Sequence, residues 1–370
     1  MADLPQTMRS LVAPKACKPE AYELRQMPVP TITRPDHVLL RIHAVGMNTF
    51  DPQLMSGELA MFHKLEYPAT LGAEGAGTVV AVGSGVKNIK VGDEVYGLVV
   101  SKPMSQYPFP GFASDYALGY EQFLLPKPPG ASFEEAAALT GFVATAMQAI
   151  KRGLQLGGLE SGGLEGKTVF IPGALSGTGS IAIQVAKNIF GAGKIISTVS
   201  TQKLSLVKTY LPGLVDQVVD YKTQNVAQVV GRGVVDFAVN TQRTSLGDCI
   251  GVINPRDGII IDIAGLPSKE TAKELIGADK FPWIMGVVLD VWQLYMKLWR
   301  FGGTSVKYEM VSGSVHIREE LEKAGEVVAL GKVKAIMRVV DLDDIKAVRK
   351  GCEELRTGRG GIGKLVLKVV

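Results

Sequence analysis

Cysteine is scarce in this chain. Cys17, Cys249 and Cys352 are the only three among 370 residues. Odd in number and far apart, they make neither a disulfide framework nor a Cys-x-x-Cys metal cluster, which fits a reducing, cytoplasmic compartment. Histidine is nearly as rare. His37, His43, His63 and His316 show no ligand spacing, and each is expected to be an ordinary surface or core residue. Uninterrupted apolar runs of membrane-spanning length are also missing: the most hydrophobic segment, 282–301, carries Asp290, Lys297 and Arg300. The opening Met-Ala-Asp-Leu-Pro-Gln lacks a charged region followed by an apolar core, so no secretory signal is read. Neither charge sign dominates. Lys and Arg number 40 against 36 Asp and Glu, a net charge of +4. No basic patch is interleaved with aromatics, which argues against nucleic acid as the partner. The small excess could still help attract an anionic cofactor or acyl carrier. No internal repeat or low-complexity tract appears.

What is present is a globular composition, 46% hydrophobic and 21% charged, in a chain long enough for two domains. Its organising stretch runs from Lys167 to Lys203. Thr168-Val169-Phe170-Ile171 reads as a buried parallel strand. Gly173-Ala174-Leu175-Ser176-Gly177-Thr178-Gly179 reads as a tight turn. Ile181, Ile183, Val185, Ala186 and Ile189 follow at the spacing of a helix packed on a sheet. The apolar run 194–199 closes a strand–helix–strand unit, the context a dinucleotide fingerprint requires. Glycine lets the backbone bend and approach a pyrophosphate, and the new helix offers unpaired amides to its charge. Ser176 stands where a further close-approach glycine often sits; it adds a hydroxyl donor. The competing reading is an ordinary strand-to-helix connection.

The end of the second strand bears on the choice of nucleotide. An NAD-preferring site places an acid there, about 20 residues on, for the ribose 2′-hydroxyl. This chain has Ser197-Thr198-Val199-Ser200-Thr201-Gln202-Lys203, with no carboxylate. Small hydroxyls and a lysine suit a 2′-phosphate, so NADPH is expected over NADH. The alternative is that Lys203 only solvates the next helix.

Elsewhere, residues 1 to 130 read as short strands of a small barrel, among them 38–45, 77–82 and 90–97, with a surface loop over 104–111. Ser132-Phe133-Glu134-Glu135 caps a helix that continues through 136–150 or restarts after Thr140-Gly141. Gly153 to Gly166 is the candidate linker. Runs at 218–221, 234–239 and 258–264 extend a doubly wound parallel sheet. An edge strand at 306–311 could pair across a two-fold axis in a homodimer. A helix over 319–330 and a last strand over 364–369 close the chain. Segment 282–301 holds all three tryptophans. Three readings stay open for it: a core helix or oligomer contact, an apolar wall over a hydrophobic substrate, or a membrane-surface helix.

Several stretches together resemble the medium-chain dehydrogenase/reductase superfamily, in its zinc-free quinone oxidoreductase and enoyl reductase branch. They are Ala44-Val45-Gly46-Met47-Asn48-Thr49-Phe50-Asp51, Gly72-Ala73-Glu74-Gly75-Ala76-Gly77, Val91-Gly92-Asp93-Glu94-Val95, Glu135-Ala136-Ala137-Ala138-Leu139, the glycine turn, and Gly363-Lys364-Leu365-Val366-Leu367. The layout is also similar to that of fungal trans-acting polyketide enoyl reductases. The resemblance implies an α/β protein: a GroES-like β-barrel catalytic domain from 1–140 and 318–370 around a Rossmann NADPH-binding domain, 141–317. It implies no metal, because Ala73 replaces the histidine of the zinc members' Gly-His-Glu motif. No cysteine lies near Asn48, and the structural-zinc lobe is missing.

Residue roles follow from the same resemblance. Asn48 would lie near the nicotinamide, with Asp51 fixing its turn, and Thr145 would touch the nicotinamide side. Ser176, Gly177, Thr178 and Gly179 would hold the pyrophosphate. Ser200, Lys203 and Tyr221 would surround the 2′-phosphate. Asn240, Ile263 and Ala264 would line the ribose and nicotinamide end, and Lys364 would close over the cofactor. The implied reaction is hydride transfer from NADPH to the β-carbon of an activated double bond, then protonation at the α-carbon, in an enoyl or enone substrate that is small, hydrophobic and free or carrier-bound. The segment 56–62 lacks the tyrosine some acyl-thioester reductases use there, so solvent, Tyr67 or Lys64 is left as proton source. An NADPH:quinone reductase and a non-catalytic NADPH-binding partner protein remain the alternatives.

Overall fold

The computed structural model describes residues 4–60, 65–99, 110–278, 281–313, 317–359 and 361–370. The chain divides into two units. One comprises Met1–Gly141, Val315–Leu330 and Ala335–Val370; the other comprises Phe142–Ser314 and Gly331–Lys334. The loop expected over 104–111 falls almost wholly outside the described residues, as do Lys64, His63 and His316.

The first unit is built on strands. The long strand His37–Met47 is its spine, flanked by Glu74–Val82 on one edge and by Lys364–Lys368 on the other, both antiparallel to it. Further strands, Glu94–Leu98, Leu124–Pro126 and Met337–Asp341, extend the sheet, and Tyr116–Tyr120 pairs with the spine as well. A smaller sheet joins Glu23–Pro28, Thr7–Ala13 and Ala69–Thr70. Most of the spine faces inward, including Val38, Leu40, Ile42, Val45 and Met47, so it reads as a nearly continuous apolar run. Strand Met337–Asp341 and helix Ile345–Thr357 have no counterpart in the sequence reading. His37 packs edge-on against Tyr120, and His43 stacks on Phe133.

The second unit is a parallel sheet among the described residues. Its order is Gln217–Asp220, Lys194–Val199, Thr168–Ile171, Phe237–Asn240, Ile259–Asp262, Lys307–Met310. Numbered along the chain, that is 3-2-1-4-5-6, the doubly wound order whose switch point falls between the first and fourth strands. Phe170, Ile196, Val219, Ala238 and Ile260 are fully buried beneath its helices.

Two expectations need correcting. The glycine-rich stretch 153–166 is not the linker. One helix, Phe133–Gly157, runs through Gly153, and the units divide within it, after Gly141. Its start is a capping box: Ser132 N–H donates to Glu135 Oε2 at 2.9 Å, and Glu135 N–H to Ser132 Oγ at 3.1 Å. The strength of that cap and the run of alanines carry the helix past Thr140-Gly141. Of the readings open for segment 282–301, a core helix is excluded, and an oligomer contact, an apolar wall and a membrane-surface helix stay open. Helix Trp283–Tyr295 and the π-turn Met296–Arg300 bury only one side.

Candidate active site

In the first unit, buried polar groups converge where the spine strand ends. Asn48 follows Met47 and leads into the short helix Phe50–Met55. Asp51, fully buried, accepts Asn48 N–H at 2.6 Å and the Gly72 and Ala73 N–H groups, each at 3.1 Å. One carboxylate thus joins two loops through their main chains. The Asn48 side chain is pinned at both ends. Its Nδ2 donates to Glu74 Oε1 at 2.8 Å, and its Oδ1 accepts from Lys364 Nζ at 2.5 Å. Lys364 Nζ also reaches Glu74 Oε1 at 3.2 Å. The other Glu74 oxygen accepts Gly141 N–H at 3.3 Å. Lys364 and Glu74 are each only 2% exposed. Burial pushes the Lys364 ammonium below the ordinary lysine range, and the Glu74 charge opposes that shift.

In the second unit the turn after strand Thr168–Ile171 feeds helix Gly177–Asn188. Ser176 is its N-cap: Oγ accepts Gly179 N–H at 3.0 Å and Gln242 Nε2 at 2.9 Å. With both lone pairs used, the hydroxyl proton is its remaining bonding arm. Gly173 sits at φ +78°, open to glycine at little cost. Gly173 N–H donates to Thr198 Oγ1 at 3.1 Å, tying the turn to the second strand. A Cβ on Gly179 would lie 2.2 Å from Gly173 O, so the helix meets the turn too closely for a side chain. The cradle fits a pyrophosphate: main-chain amides at a twelve-residue helix start and a hydroxyl donor, with the Gln242 side chain beside it on Ser176.

At the end of the second strand, Ser200 and Lys203 are half-buried, and Tyr221 N–H donates to Val199 O at 3.2 Å. That bond brings the exposed Tyr221 beside the strand end, with Lys222 Nζ over its ring at 5.3 Å. A carboxylate is close after all. A hydrogen bond from Thr201 holds Asp220 below the usual carboxylate range, helped by Lys222 N–H and by Thr223. Those contacts occupy it.

A third set lies at the ends of the fourth and fifth strands. Asn240 Nδ2 donates to Asp262 Oδ1 at 2.9 Å, and Ser245 Oγ to Asn240 Oδ1 at 2.6 Å. Asp262 also accepts Ala264 N–H at 2.9 Å and the Tyr308 hydroxyl at 3.1 Å. Burial, with the Asp262 charge beside it, pushes the Tyr308 phenol up. The Asn240 side chain is therefore spent inside the protein, where it braces the chain around Ile263 and Ala264.

The fold brings together Asn48, Asp51 and Lys364 in one unit. In the other it joins Ser176 with Gly177, Thr178 and Gly179, and Ser200 with Lys203 and Tyr221. Thr145 is half-buried on helix Phe133–Gly157. Tyr67 is outside the hydrogen-bonded set around Asn48; it is half-buried near Cys17, and burial raises its phenol. Glu74, Gln242, Asp262 and Lys222 were not singled out from the sequence. Glu74 stood in a quoted motif, but nothing local marks it as the partner of a lysine 290 residues away.

Two family matches cover complementary parts of the chain: the alcohol dehydrogenase GroES-like domain over residues 34–129, and the zinc-binding dehydrogenase family over 215–367. A dehydrogenase, mokE, of Monascus pilosus is 30% identical over 365 residues, 92% of each chain. This chain belongs to the medium-chain dehydrogenase/reductase superfamily. Within it the chain falls in the zinc-free quinone oxidoreductase and enoyl reductase branch of oxidoreductases, whose coenzyme is a nicotinamide nucleotide. The 2-methylene-furan-3-one reductase of Solanum lycopersicum is 37% identical over 197 residues, 53% of this chain and 47% of that protein. The enoyl reductase component lovC of the lovastatin nonaketide synthase of Aspergillus terreus is 28% identical over 361 residues, 92% of this chain and 91% of that one. The chain thus spans about half the length of the tomato relative and nearly all of the two fungal ones.

The name of the second matching family raises zinc, and the residues do not suit it. The Lys364 ammonium occupies the Asn48 and Glu74 oxygens, where a dication would meet a like charge. Among the described residues no three His, Cys, Asp or Glu gather as ligands. Also among the described residues, no helix is long and apolar enough to cross a membrane.

Proposed function

We propose that the chain is an NADPH-dependent reductase of activated carbon–carbon double bonds that works without zinc. The observation that carries the coenzyme assignment is the end of strand Lys194–Val199. Ser200 and Lys203 follow that strand and Tyr221 N–H bonds back to Val199 O at its end, with Lys222 Nζ over the Tyr221 ring, while Asp220 is already engaged by Thr201. Such a set suits a 2′-phosphate and gives a ribose 2′-hydroxyl no open carboxylate. The reaction class draws support from the relatives, one named for reducing a methylene-furanone and one as an enoyl reductase component.

When bound, the coenzyme supplies the hydride. The chain's own residues bind and orient. The amides of Gly177 and Thr178 and the Ser176 hydroxyl hold the pyrophosphate, with Gly179 N–H capped by Ser176 and its missing side chain letting the helix start close to the turn. The Asn240–Asp262–Tyr308 set braces Ile263 and Ala264 for the ribose and nicotinamide end, with Thr145 on the nicotinamide side. In the first unit Lys364 and Glu74 fix the Asn48 amide plane, so that its position does not have to be bought at the moment of reaction. This gives Lys364 a supporting place behind Asn48. The proton to the α-carbon comes from solvent or from Tyr67, whose phenol burial pushes up and so makes a weaker acid; a pH profile separates the two cases.

The substrate is a small hydrophobic conjugated carbonyl compound, free or carrier-bound, and the name of lovC, an enoyl reductase component, favours an enoyl group. Steady-state assays with an enone, an enoyl thioester and a quinone test the class. Turnover of the quinone alone would replace this reading with the diffusible-quinone one. Titration with NADPH that gives no heat and no thermal shift would remove both.

A further inference from the structure

Helix Trp283–Tyr295 and the π-turn after it turn a row of apolar side chains outward. Nine of them, from Trp283 to Trp299, are between 41% and 79% exposed. The opposite side is anchored: Gly286, Leu289 and Met296 are buried, and Trp292 packs on the core of the second unit. The outward patch is on the order of 1,000 Å², well above the few hundred that monomers usually expose and close to the ~800 Å² each partner gives to a standard interface.

Its pattern is specific. Ile284, Val287, Val291, Leu294 and Leu298 recur at intervals of three and four, the seam that packs against another helix. Asp290 and Lys297, seven residues apart, flank that seam on one side. We propose that this face is the interface of a two-fold dimer, in which the helix lies antiparallel on the same helix of a second copy. When Val291 faces Leu294 and Val287 faces Leu298 across the axis, Asp290 comes within two residues of Lys297, about 3 Å along the helix and inside the reach of a lysine side chain, and symmetry repeats the pair. The charges are therefore complementary to themselves in the register the seam selects. Lys269 already holds Asp290 Oδ2 at 2.8 Å, so the new pair uses Oδ1. A lipid-binding helix would carry a cation-rich polar face toward water. Here the seam is flanked by one acid and one base, and the remaining side is packed on protein.

Sedimentation velocity on the full chain with NADPH present tests this, and a dimer is expected. Val291→Glu should raise the dimer dissociation constant by at least ~10-fold, as loss of a central contact does, while the circular dichroism spectrum and coenzyme binding stay as in the wild type. Asp290→Lys should also weaken the dimer, and Asp290→Lys with Lys297→Asp should restore it, which fixes the register even if Val291→Glu fails to fold. A wild-type chain that stays monomeric overturns the proposal. So does a Val291→Glu dimer as tight as the parent, which pairing through edge strand Lys307–Met310 would give. Co-sedimentation of the monomer with vesicles of phosphatidylcholine and phosphatidylserine would assign the face to lipid instead.

Discussion

Around Asn48, charges drawn from across 316 residues of chain meet out of water. Around Ser176, the groups come mainly from one turn and work through main-chain amides and hydroxyls. The first set is held by two opposite charges that must each be present; the second is held by backbone shape. The difference predicts different failures. Damage to the first should appear as lost stability, and damage to the second as lost coenzyme binding.

The largest expected effect is at Lys364. Lys364→Met leaves Glu74 charged, buried and unpaired, which should cost about 3–5 kcal/mol in denaturant unfolding. Glu74→Leu combined with Lys364→Met should recover most of it, because an apolar pair needs no solvation. If the single variant unfolds like the wild type, the buried pair is not what holds this region. Next is Gly179→Ala. Overpacking against Gly173 O should cost about 1–3 kcal/mol and reduce NADPH affinity in calorimetry by at least ~10-fold; normal binding would mean the turn is not the pyrophosphate cradle. Lys203→Ala should move only the coenzyme preference. One charge-assisted hydrogen bond, worth roughly 1.5 kcal/mol, corresponds to about a tenfold fall in the NADPH-to-NADH affinity ratio. An unchanged ratio would refute the 2′-phosphate assignment. The smallest effect is that of a chelator: prolonged dialysis against EDTA should leave the melting temperature and turnover as they were, and elemental analysis should find zinc well below one per chain.

Contrast in sequence range also explains which parts could be read in advance. The strand–turn–helix–strand unit follows a local alternation of apolar runs and glycine, so its elements and its place in a parallel sheet are legible; Ser176 as the helix cap emerges only in the structure. The capping box at Ser132 and Glu135 is legible too. Glycine content misleads at 153–166, because helix Phe133–Gly157 tolerates Gly153 and Gly157 where they pack against the sheet. The edge strand Met337–Asp341 and helix Ile345–Thr357 escaped because their charged residues mask the apolar positions that pack. Asp220 was missed as a neighbour of the coenzyme segment because it comes from the third strand rather than the second. The exposed seam of 284–298 could be seen as apolar but not as outward-facing, since periodicity defines a side and not what covers it.

Local order alone therefore accounts for the repeating parts: backbone preferences and apolar spacing act over a few residues, and they mark the sheet, the turn and the membership of the family. Pairing of Lys364 with Glu74 and Asn48, engagement of Asp220 by Thr201, and exposure of Val291 all depend on where distant segments come to rest. Desolvation and Coulomb attraction act through space, and no pattern along the chain records which groups will share it.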